Sequence, residues 1–368
     1  MQIDLIVGDL MPIDGKGMSG TWRVAYELMK HLSAVDFNII SFQGKNLKLG
    51  RFISRAVNKH IMHPKVVKTT CGRNLKHIIS QYLSYLLHHI DCRNAIITCH
   101  DLALLKNCSI FNQVQARFDY KAMRKAAKII AGSAFTKQEI VENLDIPGEQ
   151  IEVIYNGIDR SMFYPMKSEV SWERLTLCGL LDNALTDRIL LYVGSEHPRK
   201  NILTVLRAFK VVYERLHDVF FLKIGRPQNP NTRRDMLRLI KEWNLAERVM
   251  IIDYVQDEIL NLIYNISSVF VFPSEYEGFG LPVLEAMASG LPVIASNTSA
   301  LPEVIGDAGM LLDPHDIDGF ADGIISILCD SALRQQMVQR GINQARRFDW
   351  NISAKKLLKS YEEVCANM

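Results

Sequence analysis

The chain has 368 residues, 48% of them hydrophobic, and a formal net charge of +3, which is too long for one ordinary core and suits two α/β domains of a globular protein. No apolar run reaches the roughly 18–20 residues of a membrane-spanning helix, and seven scattered cysteines without a C-x-x-C pair argue for reduced thiols rather than a disulfide framework or a zinc site. The opening residues Met1 to Val7 read as a strand interrupted by Asp4, with no basic region ahead of it, so a cytoplasmic location is expected.

Short β-branched runs alternate with longer helical patterns along the chain, the signature of parallel sheets built from βαβ units. The first run is Ile3–Val7. It leads into Gly15-Lys16-Gly17-Met18-Ser19-Gly20, a literal G-x-G-x-x-G opening a helix near Thr21, in which Gly17 and Gly20 offer backbone amides to a phosphate or a sugar. As a dinucleotide fingerprint the match is incomplete. The loop from Val7 to Gly15 is longer than the tight turn, and no Asp or Glu ends the next strand, Phe37–Phe42, so the ribose contact is missing. A flexible loop with Ser19 starting the helix explains the same residues.

Between Asp36 and Asp91 there is no acidic residue, while Lys45, Lys48, Arg51, Arg55, Lys59, Lys65, Lys68, Arg73 and Lys76 all fall there. Leu49, Phe52, Ile53, Ala56 and Val57 recur at helical spacing among them, a basic amphipathic pattern. Two readings stand side by side. One is docking on an anionic membrane surface or a lipid-diphosphate acceptor; the other is a peripheral helix with its apolar stripe in the core and its lysines in water. Aromatic residues are too sparse here for base stacking, so nucleic acid is not the expected partner.

The strand Ala95–Cys99 ends in His100-Asp101, which places both at a sheet edge; a structural hydrogen-bonding His and a helix-capping Asp are the plain alternatives. Ile129–Ala131 and Ile151–Ile154 complete a first sheet, and Tyr155-Asn156-Gly157-Ile158-Asp159 follows as a turn. From Pro165 to Asp187 the pattern loses its period, which sets a junction between domains 1–168 and 169–368. A second sheet follows at Ile189–Val193, Phe220–Ile224, Val249–Ile252, Val269–Phe272, Val293–Ala295 and Met310–Leu312, and a terminal helix over 350–368 is expected to pack back across the junction. Two doubly wound, Rossmann-like α/β domains facing across a cleft hold ligands at the carboxyl ends of their strands.

Two segments of the second domain carry chemistry. After Tyr192-Val193, the run Gly194-Ser195-Glu196-His197-Pro198-Arg199-Lys200-Asn201 puts two adjacent cations at a helix start, where they are disfavoured unless an anion such as a diphosphate lies between them and the helix dipole. After the strand Val269–Phe272, the run Ser274-Glu275-Tyr276-Glu277-Gly278-Phe279-Gly280-Leu281-Pro282-Val283-Leu284-Glu285 sets Glu277 and Glu285 on either side of a glycine-containing loop and a helix start. Unpaired amides there favour a phosphate, and two carboxylates can grip sugar and ribose hydroxyls. Taken alone, these are also a solvated loop Glu and a helix-start Glu on the dipole. The D-x-D match Asp316-Ile317-Asp318 is explained by capping, so no metal or other cofactor is expected and Arg199 with Lys200 supplies the charge a divalent ion gives elsewhere.

In order along nearly the whole chain, the Glu277-to-Glu285 motif, Pro198-Arg199-Lys200-Asn201, His100-Asp101, Asn156-Gly157-Ile158-Asp159, Gly132-Ser133-Ala134-Phe135-Thr136 and a terminal Trp350 helix resemble the retaining glycosyltransferases of family 4, with the GT-B arrangement. The resemblance implies that Glu285 binds the nucleotide ribose, that Glu277 and the amides of Gly278, Phe279, Gly280 and Leu281 hold the donor sugar, and that Lys200 binds the diphosphate. It implies His100 near the transferred sugar as a third catalytic residue, with Asp101, Asn156, Gly194, Ser195 and the Gly17–Gly20 loop at the substrates. Ser195 departs from the pattern, since many relatives carry Arg there, and Arg199 is the candidate substitute.

The form of Val193 to Asn201 resembles bacterial mannosyltransferases of O-antigen assembly. The expected function is therefore transfer of mannose from GDP-mannose to a saccharide or polyprenyl-diphosphate-linked acceptor in surface polysaccharide synthesis, at the inner face of the cell membrane. UDP-sugar donors remain the alternative, with Arg226 and Tyr254 as positions that select base and sugar. Rivals of another class are an NAD-dependent oxidoreductase, drawn from Gly15–Gly20, and a carbohydrate-binding protein without turnover.

Overall fold

The computed structural model describes residues 1–8, 20–42, 54, 56–72, 74–106, 108–180 and 188–367. Contacts divide the chain into two units, Met1–Gly157 with Asp349–Met368, and Ile158–Phe348. Among the described residues no helix is long and apolar enough to cross a membrane, and all seven cysteines are free thiols.

Among the described residues the first unit holds six parallel strands, β1 (Gln2–Gly8), β2 (Asp36–Ser41), β3 (Leu75–Ile78), β4 (Ala95–Cys99), β5 (Lys128–Ala131) and β6 (Ile151–Val153), in the order β2-β1-β3-β4-β5-β6. β4 is buried along its whole length because helices and turns cover both faces of a parallel sheet. Ile6, Ile78, Ile97 and Ile129 from successive strands meet Met123 and Tyr120 in one core.

β3 is absent from the strands read off the sequence. Its four residues are Leu-Lys-His-Ile, and the two polar ones hide the pattern. Both are buried with partners: Lys76 Nζ donates to Asn94 Oδ1 at 2.9 Å, and His77 lies between the Tyr361 hydroxyl at 2.6 Å and Thr98 Oγ1 at 2.8 Å.

The second unit repeats the plan with β7 (Arg188–Val193), β8 (Val219–Ile224), β9 (Val249–Ile252), β10 (Val269–Phe272), β11 (Val293–Ser296) and β12 (Met310–Leu312), all parallel, in the order β12-β11-β10-β7-β8-β9. The strand order reverses between β7 and β10, the classical crevice of a doubly wound sheet. In the first unit the reversal falls between β1 and β3.

The units part at Gly157/Ile158, ahead of the 168/169 boundary expected from loss of period. The intervening stretch packs on the second unit. Phe163 meets the ring of Tyr264 edge-on at 6.0 Å, and Asn265 binds the backbone of Tyr164 and Met166 at 3.0 and 2.5 Å. The chain returns to the first unit at Asp349, where the helix Trp350–Ala366 packs along the helix Gly20–His31 and β3. Ser353 Oγ donates to the Tyr155 carbonyl at 2.6 Å, and the turn at Gly157 passes so close that a Cβ there would lie 2.3 Å from the Trp350 nitrogen.

Candidate functional site

β7 and β10 are neighbours in a parallel sheet, so the segments that leave their carboxyl ends emerge side by side. One runs from Gly194 into the short turn Pro198–Lys200 and then the helix Ile202–Leu216; the other runs from Pro273 to Gly280 and into the helix Leu281–Ala288. Hydrogen bonds to backbone carbonyls lace them together. The Glu275 amide donates to the Arg199 carbonyl at 2.8 Å, Ser274 Oγ donates to the same oxygen at 3.2 Å, and the Arg199 guanidinium donates to the Tyr276 carbonyl at 2.6 Å.

This lacing brings Lys200 onto Glu277. Lys200 Nζ donates to Glu277 Oε1, Arg199 stands 3.6 Å from Oε2, and the ammonium lies 5.2 Å from the centre of the Phe272 ring, a favourable cation–π position. Burial alone would raise the Glu277 pKa; Lys200 and then Arg199 outweigh it and hold the carboxyl below its ordinary value. The site therefore carries an anion between two cations at neutral pH. His197, whose Nδ1 accepts the Arg199 amide at 3.3 Å, is pushed down by burial and by the two cations and stays neutral.

The loop after Glu277 is fixed by its backbone. Gly280 caps the helix with φ +108°, and a Cβ there would stand 2.7 Å from a methyl of Leu301, so glycine is required. Gly278 and Phe279 are buried, Leu281 opens the helix, and Pro282 takes its second position. Glu285 sits one turn further in, buried, and accepts a hydrogen bond from the Tyr264 hydroxyl at 3.0 Å. On the other side of β7, Gly194 donates to the Ile224 carbonyl at 2.8 Å and Ser195 accepts from the Tyr192 hydroxyl at 3.2 Å. The exposed ring of Tyr254 lies 5.0 Å from the Arg226 guanidinium carbon.

Sequence reasoning missed Glu196. Its carboxylate is fully buried and takes Lys223 Nζ at 2.5 Å and Arg233 Nε at 2.7 and 2.8 Å, while Arg233 also reaches Asp253 at 2.7 Å. The network ties the Gly194–Glu196 turn to β8 and to the helix Pro230–Glu242. The signal was a single lysine in the otherwise apolar run Val219–Ile224, which demands a buried acidic partner.

The other candidates lie in the first unit. His100 follows β4, and its Nε2 donates to the Ile79 carbonyl at 2.8 Å, which fixes the tautomer and leaves Nδ1 as an acceptor. Burial lowers its pKa against the opposing pull of that bond and of Asp101. Gln81, three residues beyond β3 at the start of the turn Gln81–His88, accepts the His100 amide at 3.0 Å and donates to Asp101 Oδ1 at 3.3 Å, while Asp101 also caps the turn at Ala103 at 3.0 Å. Asn156 is buried beside Gly157. Gly20 is the exposed first residue of its helix, and Gly17 lies outside the described residues.

Of the nine cations in the basic stretch, four lie among the described residues. Lys59 is bonded to Asp119 and Lys76 is buried in β3, while Lys65 and Lys68 are exposed; Lys45, Lys48, Arg51, Arg55 and Arg73 lie outside the described residues.

Comparison with known proteins agrees with both halves. The model for Glycosyltransferase Family 4 matches residues 18–161 and that for Glycosyl transferases group 1 matches residues 181–344. The O-antigen chain mannosyltransferase B of Escherichia coli is 29% identical over 76% of this chain and 72% of its own length. The serotype-specific mannosyltransferase WbdA of Escherichia coli is 29% identical over 74% of this chain but only 34% of its own length, so this chain spans about a third of that relative. Among solved structures, Anabaena Alr3699/HepE in complex with UDP and glucose has the same fold, with a TM-score of 0.79, 17% identity and coverage of 98% and 99% of the two chains. With both halves matched in order and six parallel strands in each, the chain belongs to the GT-B glycosyltransferases that join a family 4 domain to a group 1 domain.

Proposed function

We propose that this glycosyltransferase moves mannose from GDP-mannose, with retention of configuration, to a saccharide or polyprenyl-diphosphate-linked saccharide in surface polysaccharide synthesis at the inner face of the cell membrane. The observation that carries the reading is the Lys200–Glu277–Arg199 cluster at the carboxyl ends of β7 and β10. Lys200 and Arg199 take the diphosphate. Glu277, with the amides of Gly278 to Leu281, takes the hexose, and Glu285 takes the ribose. No metal has a part in this scheme, because the two cations supply the charge that stabilises the departing diphosphate.

In the transfer the bond from the sugar's anomeric carbon to the diphosphate oxygen breaks. A bond to the acceptor hydroxyl forms on the same face, and the hydroxyl proton passes to the departing diphosphate. Glu277, kept ionised by its neighbours, stabilises the positive charge that develops on the sugar ring. His100 and Asp101, with the amides near Gly17 and Gly20, serve the transferred sugar and the acceptor. The mannosyl choice is supported by the two Escherichia coli relatives; a UDP-sugar donor is the second reading, supported by the UDP and glucose in the Anabaena complex. In this reading Arg226 and Tyr254 take part in selecting the base and the sugar.

The test is a thermal-shift screen of GDP, UDP, GDP-mannose and UDP-glucose with and without EDTA. Stabilisation by the guanine compounds that EDTA leaves unchanged is expected. Stabilisation by uridine compounds alone overturns the donor, and loss of the shift in EDTA overturns metal independence.

A further inference from the structure

The helix Ile110–Lys121 has two apolar faces. Ala116, Asp119 and Tyr120 pack inward, while Ile110, Phe111, Val114 and Phe118 are 80%, 64%, 66% and 61% exposed. At about 100° per residue these four cover an arc of about 100° on the solvent side. So continuous an exposed stripe of large side chains is a binding surface rather than scatter.

Its charge selects the partner. The only acidic residue on the helix is Asp119, which is buried and bonded to Lys59. Arg117 and Lys121 are exposed on the same helix, and Arg124 and Lys125 on the turn Ala122–Lys125 that follows. Arg117 rests on the Asn143 carbonyl at 2.9 Å, Lys121 stands 3.4 Å from the exposed Asp145, and Lys106, just before the helix, is bonded to Glu139. His88 stacks on Phe118 at 4.6 Å, and burial followed by Lys125 keeps its imidazole below the ordinary pKa.

We propose that the Ile110–Phe118 stripe docks in the interface of an anionic bilayer, its apolar side chains at the headgroup boundary and its flanking arginines and lysines on lipid phosphates. A second protein is the poorer fit: four side chains offer on the order of 500 Å², short of the roughly 800 Å² per partner of a standard interface. The helix begins nine residues after Asp101, so docking brings the sheet edge that carries His100 to the membrane. Only that last consequence, delivery of a lipid-linked acceptor to His100, rests on the proposed transferase reading; the docking itself needs no donor and no turnover.

The experiment is co-sedimentation of the full chain with vesicles of phosphatidylcholine alone or mixed with phosphatidylglycerol, beside Phe111→Ser/Phe118→Ser and Arg124→Glu/Lys125→Glu. All four residues are exposed, so unchanged melting temperatures are expected. Binding to the mixed vesicles exceeds that to phosphatidylcholine, and each double variant loses it by about tenfold or more. Equal binding to both vesicles, or binding unchanged by Phe111→Ser/Phe118→Ser, overturns the proposal. So does a lipid-free dimer that this variant abolishes, since the stripe would then be a protein interface.

Discussion

Replacing Lys200 by methionine tests whether the cluster is the buried ion pair described above. The Lys200 and Glu277 side chains are 13% and 9% exposed, and they share a direct hydrogen bond. Methionine keeps the length of the chain and its contact with the Phe272 ring but leaves an ionised carboxylate behind. Removing one partner of a buried pair costs about 3–5 kcal/mol. Arg199, 3.6 Å from the other carboxylate oxygen, offsets part of this, so about 2–3 kcal/mol remains. In a unit of about 190 residues, at 2–4 °C per kcal/mol, the midpoint falls by about 5–10 °C. Lys200→Met/Glu277→Gln removes the stranded charge as well, and most of the loss returns. The assay is calorimetric unfolding of wild type, both single variants and the double variant without nucleotide. A Lys200→Met midpoint within about 1 °C of wild type, or a double variant no better than the single, refutes the reasoning.

Further expectations follow from single residues. Gly225 has φ +138°, and a Cβ there would lie 2.0 Å from the Gly194 carbonyl oxygen, so Gly225→Ala should cost at least about 3 kcal/mol in chemical denaturation. Burial, with a smaller push from His100, holds the His77 imidazole down to about 3. Its unfolded form binds a proton below about pH 6.5 while the folded form does not, so stability falls by up to about 1.4 kcal/mol per unit as pH drops from 6.5 toward 3, and His77→Asn should flatten that slope in melts across the range. Tyr264→Phe removes the donor to Glu285 and should cost about 1–2 kcal/mol; if Glu285 holds the ribose, calorimetric titration should also show weaker nucleotide binding.

Much of the fold was written in apolar runs that end at glycine or polar turns. Ala95–Cys99, Val249–Ile252, Val269–Phe272 and Met310–Leu312 are strands with the expected ends; the first and third are buried along their whole length, which leaves an uninterrupted hydrophobic signal, and the other two are half-buried edge strands whose apolar runs are as clear. β3 escaped because its burial is achieved by pairing polar groups, Lys76 with Asn94 and His77 with Tyr361 and Thr98, partners far enough away that no local pattern reveals them. The Glu277 and Lys200 segments were legible as loop-to-helix starts. Their direct bond was not, since it depends on β7 and β10 being neighbours across 77 residues of sequence. Glu196 failed for the same reason: Lys223 and Arg233 reach it from two other segments, and Asp253 braces Arg233 from a third.

The most direct measurement is the rate at which Glu277→Gln releases GDP from GDP-mannose in the presence of acceptor, taken at saturating donor. Glutamine keeps the size of the side chain and removes its charge, so turnover should fall by about 100-fold or more while GDP still protects the protein against unfolding. Turnover at the wild-type rate would contradict a catalytic carboxylate held between Lys200 and Arg199.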